Sequence, residues 1–83
     1  MKVTVYTKPD CVQCDSTKRV LDRAGIEYET IDLTQDAEAM EYVRNLGFSS
    51  APVVETSTDI WSGFRNERLK QLIAERDAER AKE

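Results

Sequence analysis

Cys11 and Cys14, separated by Val12 and Gln13, are the only cysteines of the chain, and they fall between a strand-like run and a helix-like one. No other feature constrains the fold as much. Positions i and i+3 share one face of a helical turn, so the two sulfurs can meet and close a disulfide. The first thiol would stand at a helix N-terminus, where unpaired N–H groups and the macrodipole favour a thiolate over a thiol.

The elements around this pair can be read from pattern. Lys2–Tyr6 alternates with β-branched and aromatic residues and reads as a strand; Thr7–Asp10 is a loop, with Pro9 just before the cysteines. A first helix is expected from about Cys11 to Ala24, with Val12, Val20, Leu21 and Ala24 as its apolar set and Gly25 as its left-handed stop. Ile26–Leu33 reads as a second strand. Thr34 or Asp36 can cap a second helix, in which Ala39, Met40, Val43 and Leu46 recur at helical spacing until Gly47. After the Phe48–Ala51 loop, Pro52–Glu55 is a strand, Thr56–Asp59 a polar turn and Ile60–Ser62 the last strand. A final helix from about Asn66 carries Leu69, Leu72 and Ile73 on one face.

The order β-α-β-α-β-β-α predicts an α/β fold, a four-stranded mixed sheet flanked by helices, in one domain over residues 1–83. A helical crossover makes the first two strands parallel and right-handedly connected, and the short turn near Ser57 makes the last two an antiparallel hairpin. From about Ala74 the chain is nearly all charged residues and alanine, a solvated helix end with Asp77–Arg80 and Arg80–Glu83 at helical spacing.

Composition narrows the function. With 40% hydrophobic residues and a net charge of −4, the chain is neither disordered nor membrane-embedded. Phosphate binding needs a basic patch and none is visible, which argues against a nucleic-acid partner. Met1–Tyr6 is too short and too alternating for a signal peptide, so a cytoplasmic location is expected, and in a reducing compartment a cysteine pair more often works than braces. A closed zinc site wants four ligands, whereas the chain offers two thiols and no histidine, so no metal is expected. A C-x-x-C pair in a βαβ context reads as a thioredoxin-like redox site.

Three blocks extend that reading: Val3–Pro9 followed by Cys11-Val12-Gln13-Cys14, then Ala51-Pro52-Val53-Val54, then Trp61-Ser62-Gly63-Phe64-Arg65. Together they make nearly all of the chain except its charged tail resemble the NrdH-redoxins. The first two blocks are shared with glutaredoxins in general; the Val-Gln spacer and the Trp61–Arg65 block are more specific. The resemblance implies a minimal thioredoxin/glutaredoxin fold and a dithiol–disulfide oxidoreductase with no bound cofactor. It implies electrons drawn ultimately from NADPH through thioredoxin reductase and delivered to the large subunit of class Ib ribonucleotide reductase. A monomer is expected.

In the mechanism so implied, Cys11 attacks a substrate disulfide as a thiolate and Cys14 resolves the mixed disulfide. The resemblance makes Pro52 a cis-proline facing the cysteines, with the Ala51 backbone offered to an extended substrate. Val12 and Gln13 belong to the same partner-facing site. Lys8 stands as a cation for the Cys11 thiolate or as a solvated loop lysine. Trp61, on a short edge hairpin, is expected to shape the surface a reductase recognises, Phe64 to pack the last helix on the sheet, and Gly63 to serve a turn. Arg65 can pair with a partner's acid or with Asp59.

Two positions depart from the family pattern. Asn66 replaces the usual proline, and asparagine there is a strong N-cap for the last helix. Asp10 precedes the first cysteine where a small or neutral residue is usual; with Gln13 it has capping-box spacing, while its carboxylate works against a Cys11 thiolate. Two alternatives remain. A glutathione-dependent glutaredoxin would show a Gly-Gly and acidic cluster near the last helix, where this chain has Ser62–Asn66. An iron–sulfur cluster carrier would use Cys11 in a glutathione-bridged dimer and need the same pocket.

Overall fold

The computed structural model describes residues 1–82. Its elements run β1 Thr4–Thr7, α1 Val12–Arg23, β2 Glu29–Asp32, α2 Ala37–Asn45, β3 Val53–Glu55, β4 Ile60–Ser62 and α3 Asn66–Ala81. The expected order is present, with the first three strands shorter than their sequence patterns suggest and the fourth as expected. The sheet order is β2-β1-β3-β4. β1 and β2 are parallel; β1–β3 and β3–β4 are antiparallel.

Alternation along the strands sends side chains to two layers. Val5, Val54 and Trp61 are register partners across three strands. They bury with Val3, Leu21, Ile26, Leu69 and Leu72 in one core that α1 and α3 cover. Tyr6 and Val53, one residue along, bury with Leu33 and Val43 in a second core, packed by Met40 and Phe48. At its margin Glu55 accepts hydrogen bonds from the Tyr6 hydroxyl at 3.0 Å and from the Tyr42 hydroxyl, joining α2 to the sheet. Burial, followed by that carboxylate, pushes the Tyr6 phenol up to about 12.

Both short helices stop at glycines of positive φ, Gly25 at 69° and Gly47 at 91°. In each, the glycine N–H and the next N–H reach back to the last turn: Gly25 to Asp22 and Ile26 to Leu21, Gly47 to Arg44 and Phe48 to Val43. That is the Schellman arrangement, which satisfies carbonyls the helix leaves open. Asp36, not Thr34, caps α2, accepting from the Ala39 amide at 3.0 Å. Thr34 instead closes a turn on the Asp32 carboxylate.

Several expectations need correction. Val12 lies outside the core set of α1: it is 79% exposed, and the buried face is Cys14, Thr17 and Leu21. The Asp10–Gln13 capping box does not form. Asp10 has φ 54°, outside the extended region an N-cap needs, and Cys11 is the N-cap. Asn66 is the first helical residue of α3; the N-cap is Arg65, whose side chain makes no capping bond. An N–H at that first position has no helical partner to lose, so asparagine and proline are both tolerated there. In the tail, Asp77 pairs with its neighbour Arg76 at 2.9 Å rather than with Arg80, and the Arg80–Glu83 pair lies outside the described residues.

Candidate active site

Three segments converge at one end of the sheet. β1 runs into the Pro9–Asp10 turn, and the left-handed backbone of Asp10 swings the chain so that Cys11 enters α1 in extended conformation. The Cys11 sulfur takes the place of a capping oxygen, accepting a hydrogen bond from the Cys14 amide at 3.2 Å. The same two residues are joined by a disulfide with their Cα atoms 5.2 Å apart. Cys11 is 8% exposed and Cys14 1%, so the first sulfur is the one nearer solvent.

The second segment is the loop before β3. The Ala51–Pro52 peptide is cis, as the resemblance implied, and the Ala51 carbonyl oxygen lies 3.9 Å from the Cys11 sulfur. Pro52 is buried, so its ring forms part of the floor rather than of the surface. The third segment follows β4. The Gly63 amide donates to the Pro52 carbonyl at 2.8 Å, and the Ser62 hydroxyl donates to the Ser50 carbonyl at 2.9 Å. Gln13 joins the first segment to the third: its Oε1 accepts from the Phe64 amide at 3.1 Å. The spacer residue therefore braces a loop 51 positions away. Sequence spacing alone suggested a local capping role for it, because nothing in the chain order announces that contact.

The aromatics exchange their expected places. Trp61 is 4% exposed and belongs to the core beside Leu69 and Leu72, while Phe64 is 38% exposed and stands at the site's rim. The inward alternation of β4 decides this, since Trp61 is the register partner of Val54. Arg65 does not pair with Asp59; its Nε donates to the Ser62 carbonyl at 3.3 Å. Asp59 is held by Arg68, at 2.7 and 2.9 Å, whose guanidinium also sits 6.0 Å from the Trp61 ring centroid. Lys8 is exposed on the wall of a cavity of about 210 Å³ beside the site, together with Arg44, Phe48, Ser50 and Ala51.

A sulfur held at a helix start, a second sulfur one turn inward and an exposed approach over Val12 and Phe64 suit thiol–disulfide exchange. The capping amide stabilises negative charge on Cys11, which makes that sulfur a good nucleophile and a good leaving group. The C-x-x-C pair on this sheet therefore defines a thiol–disulfide oxidoreductase of thioredoxin-like fold.

The comparisons with known proteins agree. The glutaredoxin family model matches residues 3–60. The glutaredoxin-like protein NrdH of Escherichia coli K12 is 42% identical over 72 residues, covering 87% of this chain and 89% of that one. The glutaredoxin-like protein NrdH of Lactococcus lactis is 37% identical over 70 residues, covering 84% and 97%. Among solved structures, the E. coli NrdH-redoxin superposes with a TM-score of 0.85 at 42% identity, covering 87% of this chain and 95% of that one. That structure is described as the basis of a thioredoxin-like activity profile in a glutaredoxin-like protein. The chain belongs to the glutaredoxin family and, within it, to the glutaredoxin-like NrdH proteins.

Proposed function

We propose that this protein is a dithiol electron carrier, reduced by thioredoxin reductase and oxidised by the large subunit of class Ib ribonucleotide reductase. Cys11 is the nucleophile toward the substrate disulfide and Cys14 the resolving cysteine. The reaction balances within the pair: Cys11 joins one substrate sulfur as the other leaves. Cys14 then attacks Cys11, closing the protein disulfide and releasing the second substrate thiol. The protein acts as a monomer in the cytoplasm, with no cofactor beyond this disulfide. Among the described residues no helix is long and apolar enough to cross a membrane, and no cluster of three or more metal-ligating side chains occurs.

The loop at Gly63–Phe64 carries the choice of electron donor. Glutathione recognition needs fixed partners for a free carboxylate and a free amine. Here the Gly63 and Phe64 amides are already engaged by Pro52 and Gln13, and no Gly-Gly-acid cluster follows. One observation favours a second reading, glutathione dependence: Lys8 and Arg44 line the cavity beside Cys11 and could receive a carboxylate. No acid lines that cavity to receive the amine, and an unpaired charge at a partly enclosed site costs binding.

A coupled assay decides between them. NADPH with thioredoxin reductase from the same source should turn over the oxidised protein, and NADPH with glutathione reductase and glutathione should do so poorly. Rapid reduction by glutathione with no turnover by the reductase overturns the proposal. Reconstitution with a class Ib ribonucleotide reductase tests the acceptor. A purified protein that takes up iron and sulfide into a coloured, glutathione-bridged dimer would instead support the cluster-carrier alternative.

A further inference from the structure

Thr17 is fully buried on the inward face of α1, one turn beyond Cys14, and its hydroxyl has no hydrogen-bond partner. Both facts are unusual. A helical threonine commonly turns its hydroxyl back to the carbonyl four residues earlier, and a buried hydroxyl left unpaired costs free energy. Valine would fill the same space without that cost. Cys14 and Thr17 share the buried face of α1, and residues three apart on a helix are side-chain neighbours.

While the disulfide is closed, the Cys14 sulfur is tied toward Cys11, and the Cys14 amide is spent on the Cys11 sulfur. When a dithiol donor opens the bond, two electrons and two protons convert the pair to two thiols, and the donor closes its own disulfide. Cys14, 1% exposed in the closed pair, then has a free side-chain torsion and a weak S–H group that a neighbouring hydroxyl can pair with. We propose that Thr17 is a positioning residue for Cys14: its hydroxyl is unpaired in the disulfide state and hydrogen-bonds the Cys14 sulfur in the dithiol state. The inference rests only on exchange chemistry at Cys11 and Cys14 and stands whichever donor and acceptor the protein serves.

The consequence has a definite sign. The hydroxyl penalises the disulfide form and favours the dithiol form, so both contributions make the protein more readily reduced. Thr17→Val removes both and should shift the dithiol–disulfide equilibrium toward the disulfide. The expected shift is on the order of tenfold, a potential about 30 mV more negative for a two-electron couple. Thr17→Ser keeps the hydroxyl and loses only a methyl group, so its potential should stay at the wild-type value.

The experiment equilibrates each protein with dithiothreitol redox buffers and follows urea unfolding of both redox forms. Thr17→Val should raise the unfolding midpoint of the oxidised protein and lower that of the reduced one, with Thr17→Ser moving both equally. An unchanged potential in Thr17→Val, a shift to more positive values, or a Thr17→Ser shift as large as that of Thr17→Val overturns the inference. The first of these is what a hydroxyl with a purely structural role in both states would give.

Discussion

Helices α1 and α2 begin on one plan and serve different ends. Cys11 caps α1 at φ −116° and ψ 103°, and Asp36 caps α2 at φ −130° and ψ 97°. Each accepts a hydrogen bond from the amide three residues on, at 3.2 Å for the sulfur and 3.0 Å for the carboxylate. The difference lies in what surrounds the capping atom. Asp36 is exposed, whereas Cys11 is nearly enclosed, bonded to Cys14 and close to the Ala51 carbonyl. An ordinary device for starting a helix becomes a redox centre when the capping atom is sulfur and a second sulfur lies one turn inward. α3 completes the contrast, beginning at Arg65 with no side-chain cap and relying on Leu69 and Leu72 in the core.

The strongest test of that contrast exchanges the capping atom. Cys11→Ser should abolish disulfide reduction, while circular dichroism shows α1 retained because serine is itself a good cap. Loss of the helix would mean that the disulfide rather than the cap maintains it. Cys14→Ser should trap a mixed disulfide with substrate on non-reducing gels; trapping in Cys11→Ser instead would reverse the two roles.

Asp36→Ala should cost about 1 kcal/mol of stability in urea unfolding and leave the exchange rate unchanged. A fall in that rate would show that α2's start is coupled to the site. Gln13→Ala should lower the rate as well as the stability. It frees the Phe64 amide and should reduce kcat/KM with the protein partner by roughly threefold, with stability lowered by about 1 kcal/mol. An unchanged kcat/KM would limit Gln13 to structure.

The smallest expected effect concerns the polar margin of α2. Tyr6 has its pKa raised to about 12 against 10.0 in the unfolded chain, first by burial and then by Glu55. The protonated phenol is favoured in the folded state, so the stabilisation is complete below pH 10 and is lost as pH rises toward 12. Tyr6→Phe should flatten part of that alkaline loss; Tyr28, raised to about 12 by burial and Asp22, and Tyr42, raised by its hydrogen bond to Glu55, keep the remainder. An identical alkaline profile in wild type and Tyr6→Phe would sink the assignment.

Element order, the closing hairpin and both glycine stops are legible because each depends on neighbours within a turn or two, and the parallel first pair because a helical crossover leaves no other arrangement. The cysteine pair is legible for the first of these reasons. The Gln13 brace is not legible because its partner, Phe64, is remote in sequence. The burial of Trp61 is not legible because a three-residue strand carries too little alternation to say which side faces the core, and Phe64 lies in the loop beyond it, where no period applies. Thr17 carries no signal in the sequence: a threonine within a helical run becomes conspicuous only when its burial and unpaired hydroxyl are known.

The amino-acid sequence by itself determined the β-α-β-α-β-β-α chain and the placing of two sulfurs at a helix start, since local geometry and hydrophobic period are written residue by residue. Only the tertiary structure decided what encloses those sulfurs. The Ala51 carbonyl near Cys11, the Gln13 brace on Phe64, the capture of Asp59 by Arg68 and the burial of Trp61 each need segments far apart in sequence to meet. Those meetings are set by strand register and by helix packing over a shared core, which no local pattern encodes.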